Sequence, residues 1–277
     1  MKRLALSLLL VAYFGSTALV VAQDTAGDEE NAARRWSPLF RKHASEYEIL
    51  VQGDDTPLKL VDKPLLNWSQ PVRGGAEGVV FLWTREEVPA VMATFFVWPT
   101  ADGKQGVAHE RHSLVQEKLT GTFRERRWDA PGKAIEWKQV DLKTPPAPTA
   151  ERRLRQMREI AETLQAESVD RKDKKWDLRL LPKPIYRYAS ANGAPVIDGS
   201  IFAFVEGTDL EIAVLIQARK TKSEVVWEMA FARMSDFQLT VRRDKEVLWQ
   251  VPIKEGDDTT SNYSCPTVEF RDSPDDK

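Results

Sequence analysis

The stretch "GVVFLWTREEVPAVMATFFVW" at 78–98 holds two long apolar runs separated only by Arg85-Glu86-Glu87. Three charged residues leave no room for a crossover helix, so the runs must be antiparallel neighbours. The signature recurs. "SIFAFVEG" and "LEIAVLIQA" meet at Gly207-Thr208, and "FQLTVRR" and "EVLWQVP" meet around Asp244-Lys245. Strand follows strand, which argues against a parallel doubly wound sheet.

Helical periodicity is confined to two places. After Pro145-Pro146-Ala147-Pro148, Thr149 can cap "AERRLRQMREIAETLQAES". There Leu154, Met157, Ile160, Ala161 and Leu164 recur at three- and four-residue intervals, which predicts one long amphipathic helix over about 150–167. "RRWSPLFRKHASEY" at 34–47 predicts a short N-terminal helix. The expected class is α+β with predominantly antiparallel sheet. Residues 34–253 are expected to form one globular unit, with a candidate sub-boundary at 145–149. Both halves read as hairpin-rich, yet no internal repeat is evident in the sequence.

The ends carry a different signal. Lys2 and Arg3 precede an apolar run from Leu4 to Val21, and Val20-Val21-Ala22 supplies small residues for cleavage. This predicts an export signal over 1–22, a periplasmic or extracellular location, and no membrane span after signal removal. Residues 23–33 are expected to be acidic and disordered, and 254–277 an acidic flexible tail. The single cysteine, Cys265, cannot form an internal disulfide, so the fold must rest on apolar burial. The formal net charge of −2 and the expected compartment both argue against nucleic acid as a partner.

Chemistry is thinly represented. In "VAHERHSL" at 107–114, His109 and His112 are three residues apart. A strand would send them to opposite faces and a helix would set them on one side. The zinc pattern H-E-x-x-H needs four-residue spacing, and the only further histidine is the distant His43. No metal or cofactor is expected. Nucleophile-elbow and phosphate-loop motifs are missing. Carboxylates remain: Glu206, Asp209 and Glu211 cluster in "VEGTDLE" and, with His109, are the weak catalytic candidates. For binding, "LRLLPKPIYRY" at 178–188 is unusual in setting Arg179, Lys183 and Arg187 beside Tyr186 and Tyr188 on a proline-extended path. A solvated edge strand guarded by proline and charge explains it equally.

Four segments, "LLNWSQPVRG…GVVFLW" (65–83), "RRLRQMREIA" (152–161), "LRLLPKPIYRY" (178–188) and "GSIFAFVEGTDLE" (199–211), together resemble an uncharacterised family of exported, planctomycete-type bacterial proteins. The resemblance implies export and a single unit, and brings no assigned activity, cofactor or catalytic residue. The resulting expectation is a non-catalytic exported binding protein, its partner a glycan, an acidic peptide or an envelope protein. The alternatives are a carboxylate-dependent hydrolase of an envelope polymer and a structural envelope component.

Overall fold

In the computed structural model, residues 35–70, 76–141, 144–190 and 195–275 are described. The expected export signal and acidic segment fall outside them. A helix α1 (35–45) leads into β1 (Tyr47–Val51), β2 (Lys59–Leu60) and β3 (Leu66–Gln70). The expected hairpin follows as β4 (Ala76–Arg85) and β5 (Val88–Pro99), then β6 (Gln105–Ser113), β7 (Leu119–Phe123) and β8 (Arg126–Ala130). After β9 (Lys138–Gln139), the chain forms α2 (Ala150–Glu162), β10 (Leu164–Val169), β11 (Lys175–Leu180) and β12 (Tyr186–Tyr188). The second long hairpin is β13 (Val196–Glu206) and β14 (Asp209–Lys220), followed by β15 (Val225–Arg233), β16 (Gln238–Arg243) and β17 (Glu246–Val251). The chain closes with β18 (Tyr263–Ser264) and β19 (Thr267–Arg271). The strands pair antiparallel, and the fold is mostly β-sheet with two helices among the described residues. None of those helices is long and apolar enough to cross a membrane.

These elements form a tandem duplication, although the sequence shows no obvious repeat. Each half runs helix, strand, short strands, long hairpin, strand, terminal hairpin. The registers match: β4 pairs β5 with Phe81 opposite Ala93, and β13 pairs β14 with Phe202 opposite Val214. β1 sets Tyr47 opposite Phe123, and β10 sets Leu164 opposite Arg243. The turns of the terminal hairpins both hold a positive-φ residue, Arg124 and Asp244. A trace survives in sequence, since Leu58, Leu60, Lys63 and Pro64 recur as Leu178, Leu180, Lys183 and Pro184. It escapes notice because equivalent positions seldom keep the residue itself.

Three apolar clusters hold the halves. The first packs Trp36, Phe40 and Ala44 of α1 on Phe81, Trp83 and Phe95. The second packs Met157, Ile160 and Ala161 of α2 on Phe202, Phe204 and Val214. The third lies between the sheets, where Val80, Leu82 and Met92 meet Ile201, Ala203 and Leu215. Alternate residues of each long hairpin thus face different cores, which is why these strands read as unbroken apolar runs.

Two expectations need correction. The second helix stops at Glu162, where the backbone N–H and hydroxyl of Thr163 both donate to the Ile160 carbonyl. The following "LQAESV" alternates buried and more exposed positions and becomes β10. Its Leu164 satisfies both the helical and the strand period, which is why the sequence runs the helix to 167. Residues 263–271 are also no flexible tail: β18 and β19 pair with β6. Conversely β9, which trails the first half, pairs with β15 of the second. Each half therefore covers an edge of the other's sheet.

Glycines mark where aromatic rings lie flat across a neighbouring strand. Trp68 covers Gly78, and the equivalent Tyr188 covers Gly199. A Cβ on Gly78 would stand 2.7 Å from both the Phe95 carbonyl and the Trp68 ring. Gly78→Ala is therefore expected to destabilise the fold by about 1–3 kcal/mol, the usual cost of overpacking, as read by urea denaturation.

Candidate functional site

The duplication makes each half a reference for the other, and two of the differences lie beside the helices. The first is a groove of about 730 Å³ in the second half, between α2 and strands β10, β11 and β13. Leu164, Ala166, Leu178, Phe202 and Phe204 form its apolar floor, and Leu180, Leu181 and Pro182 its wall. At the equivalent positions of the first half, Ile49 stands for Ala166 and Trp83 for Phe204, and both are buried. The smaller pair in the second half leaves the space open.

The rim of the groove is charged. Glu167 accepts an ion pair from Arg242 at 2.7 Å and one from Lys175 at 2.5 Å. The hydrogen bond from Arg242, with that from Lys175, holds its carboxyl below the usual range. Glu162 and Asp177 are exposed. Arg158 is half-buried, and its Nε is buried with no hydrogen-bond partner.

The second difference is a buried polar chain in the first half. Arg111 Nη1 donates to the Tyr47 hydroxyl at 2.9 Å. Tyr47 lies 2.9 Å from His109 Nδ1, and His109 Nε2 lies 3.0 Å from His43 Nδ1. His43 Nε2 then faces Glu269 at 3.3 Å. Arg111 can only donate, so the tyrosine proton goes to His109, the His109 proton to His43, and the His43 proton points to Glu269. In the second half Leu164, Met229 and Ile160 occupy the places of Tyr47, His109 and His43, as the strand registers and the helix show.

Burial keeps both histidines neutral. It lowers His43 to about 4 against the pull of Glu269, and with help from His43 holds His109 well below the usual imidazole range. His109 stacks on Phe95 with ring centroids 3.8 Å apart. This chain is part of the first core, and within it Arg111 Nε and His43 Nε2 are buried without a hydrogen-bond partner.

A third feature lies where the halves meet. A pocket of about 170 Å³ is lined by Trp68, Gln70 and Phe96 from the first half, Asp209, Glu211 and Asp236 from the second, and Cys265. Glu110 also lines it, and burial pushes its carboxyl up to about 8 although Tyr263 donates to it. Among the described residues, no group of three or more His, Cys, Asp or Glu is disposed to hold a metal.

The catalytic candidates are thus only partly brought together. Asp209 and Glu211 share the junction pocket, while Glu206 accepts from Gln70 at its mouth. His109 points the other way, into the first core, because β6 alternates; its neighbour Glu110 reaches the pocket instead. The same alternation sends His112 to the face opposite His109.

The binding candidates of "LRLLPKPIYRY" also divide. Arg187 is tied to Asp198 and to the Ala150 carbonyl, and Arg179 to the Gly207 carbonyl. Tyr188 is buried over Gly199 and bonds Gln217 at 3.2 Å. Lys183 is exposed and Tyr186 half-buried beside it. The segment meets the groove through its leucines. What sequence reasoning missed was Ala166, and the available signal was the pair of small residues, Ala166 and Ser168, at the buried positions of β10.

No family model, curated protein or solved structure matches the chain.

The histidines make a test of this geometry. Their folded-state affinity for protons lies below the unfolded value of about 6.5, so they stabilise the fold above that pH. That contribution is lost as pH falls toward 4. Unfolding free energies from urea titrations are expected to drop between pH 6.5 and 4.5, by at most about 1.4 kcal/mol per pH unit per histidine. Replacing His43 by Ile and His109 by Met, as in the second half, should flatten most of that slope.

Proposed function

We propose that this chain is an exported binding protein that takes a ligand with an apolar body into the groove of its second half. Support for export comes from the basic start and apolar run of residues 2–21. Support for binding comes from one observation above the others: the groove stands open where the duplicate half is filled by Ile49 and Trp83. Volumes of roughly 300–1,000 Å³ are typical of small-molecule sites, and here an apolar floor is ringed by charged residues. The floor of leucine, alanine and phenylalanine offers nothing to the hydroxyls of a glycan, and suits an aliphatic or flat apolar body.

The hydrolase reading has less support, because the pocket that gathers Asp209 and Glu211 is only about 170 Å³, against about 730 Å³ for the groove.

The neutral fluorescent probe N-phenyl-1-naphthylamine is expected to bind saturably, one per chain. Transferring the first half's residues, Ala166→Ile with Phe204→Trp, should weaken it at least tenfold while leaving the melting temperature equal or higher. Absence of saturable binding to the wild-type protein would remove the proposal.

A further inference from the structure

The chemical class of the ligand can be read from the charges around the groove, an inference that rests on the binding role proposed above. Three cations line the groove, and two are spoken for: Lys175 and Arg242 converge on Glu167. The remaining one, Arg158, differs from its neighbours on α2. Arg153 is engaged with Asp198 at 2.9 Å and with the carbonyls of Ala147 and Pro148, and Arg152 and Arg155 are exposed. Arg158 alone among them is drawn against the groove with a buried, unpartnered Nε. Its counterpart in the first half, Arg41, donates to the Asp62 carbonyl at 3.3 Å. Arg158 has no such bond, so its fork remains available at the one wall where the apolar floor ends.

A guanidinium presents two parallel donors that match the two oxygens of a carboxylate. A dianionic phosphate would call for more than one free cation, and here the exposed Glu162 and Asp177 on the same rim oppose a second negative charge. A cationic head would meet Arg158 directly. We propose that the groove holds an amphiphile with one carboxylate and an unbranched acyl chain, the carboxylate on Arg158 and the chain over Leu164, Leu178, Phe202 and Phe204.

The experiment is displacement of N-phenyl-1-naphthylamine from the full-length protein at pH 8 by dodecanoate, dodecanol, dodecyl phosphate and dodecyltrimethylammonium, all below micellar concentrations. Dodecanoate should displace the probe at a concentration at least tenfold lower than dodecanol, the fold-change expected of a hydrogen-bonded ionic contact. It should also outperform dodecyl phosphate and the ammonium compound. Arg158→Gln should bring dodecanoate level with dodecanol, each displacement constant being referred to the probe affinity measured for that variant. Arg158→Lys should keep part of the preference, which guards against a glutamine variant that fails to fold. Equal displacement by dodecanoate and dodecanol in the wild type, or tighter binding of the phosphate or ammonium compound, would overturn the carboxylate assignment and leave the apolar groove standing. A wild-type protein that binds neither probe nor amphiphile would bring down both.

Discussion

The apolar layer shared by the two sheets is the contact on which the rest of this molecule depends. Val80, Leu82 and Met92 on one side and Ile201, Val205, Leu210 and Leu215 on the other are all essentially inaccessible. Each such side chain adds about 1.5–3 kcal/mol when removed from water. Together the seven amount to a gross burial of about 10–20 kcal/mol, the same order as the net stability of about 5–15 kcal/mol typical of a folded domain. Neither half can therefore separate without unfolding becoming competitive. Burial on both faces also dictates what the long strands must be made of. Of the polar residues buried in the long hairpins, Thr94 and Ser200 are small, while Asp198 accepts from Arg153 and Gln217 donates to Glu228.

Double burial on the faces leaves the edges to be protected. An exposed long strand such as β6 or β15 would present a row of unpaired N–H and C=O groups. The chain answers by exchange: the segment after the first half lies on β15, and the segment after the second lies on β6. Covering strands of this kind need only one buried face. Val268 is 8% exposed and Phe270 60%, and the remainder of β18 and β19 is Tyr263, Ser264, Thr267, Glu269 and Arg271. A covering strand is consequently polar in composition.

That explains which parts of the fold were legible in the sequence. The long hairpins were, because double burial writes an apolar run and a charged turn bounds it. The second helix was legible at its capped start, where Thr149 receives the Arg152 N–H, and not at its end, where Leu164 serves either period. Residues 263–271 were read as a tail because their composition is that of solvent-facing chain. The duplication was hidden because equivalent positions seldom keep the residue itself: some keep its character, as Trp68 answers Tyr188 and Leu65 answers Ile185, and others change it, as Tyr47 answers Leu164 and Ile49 answers Ala166. Of the candidate site, the sequence pointed to the carboxylates of the Glu206–Glu211 turn and to the 178–188 segment. It could not reveal that Glu110 would join the former, nor that the latter would contribute leucines instead of its charges. Both depend on which face of a strand meets which neighbour across the halves.

The same duplication gives the groove its meaning. With one backbone plan used twice, the differences between the halves come from side chains. In the first half the interior beside the helix holds Tyr47, His109 and His43, each with a hydrogen-bond partner, beneath a filled surface. In the second half the corresponding interior is plainly apolar, and the surface above it is opened by Ala166 and Phe204. Replacing a buried isoleucine by alanine costs a fold about 2–5 kcal/mol when the space does not collapse. The space here has not collapsed, and a half-buried arginine with an unmet donor stands at its edge. Two local penalties of different physical origin at one place are hard to reconcile with a region selected only for stability. Both are relieved by one occupant, whose apolar body refills the lost contacts and whose head group meets the donor.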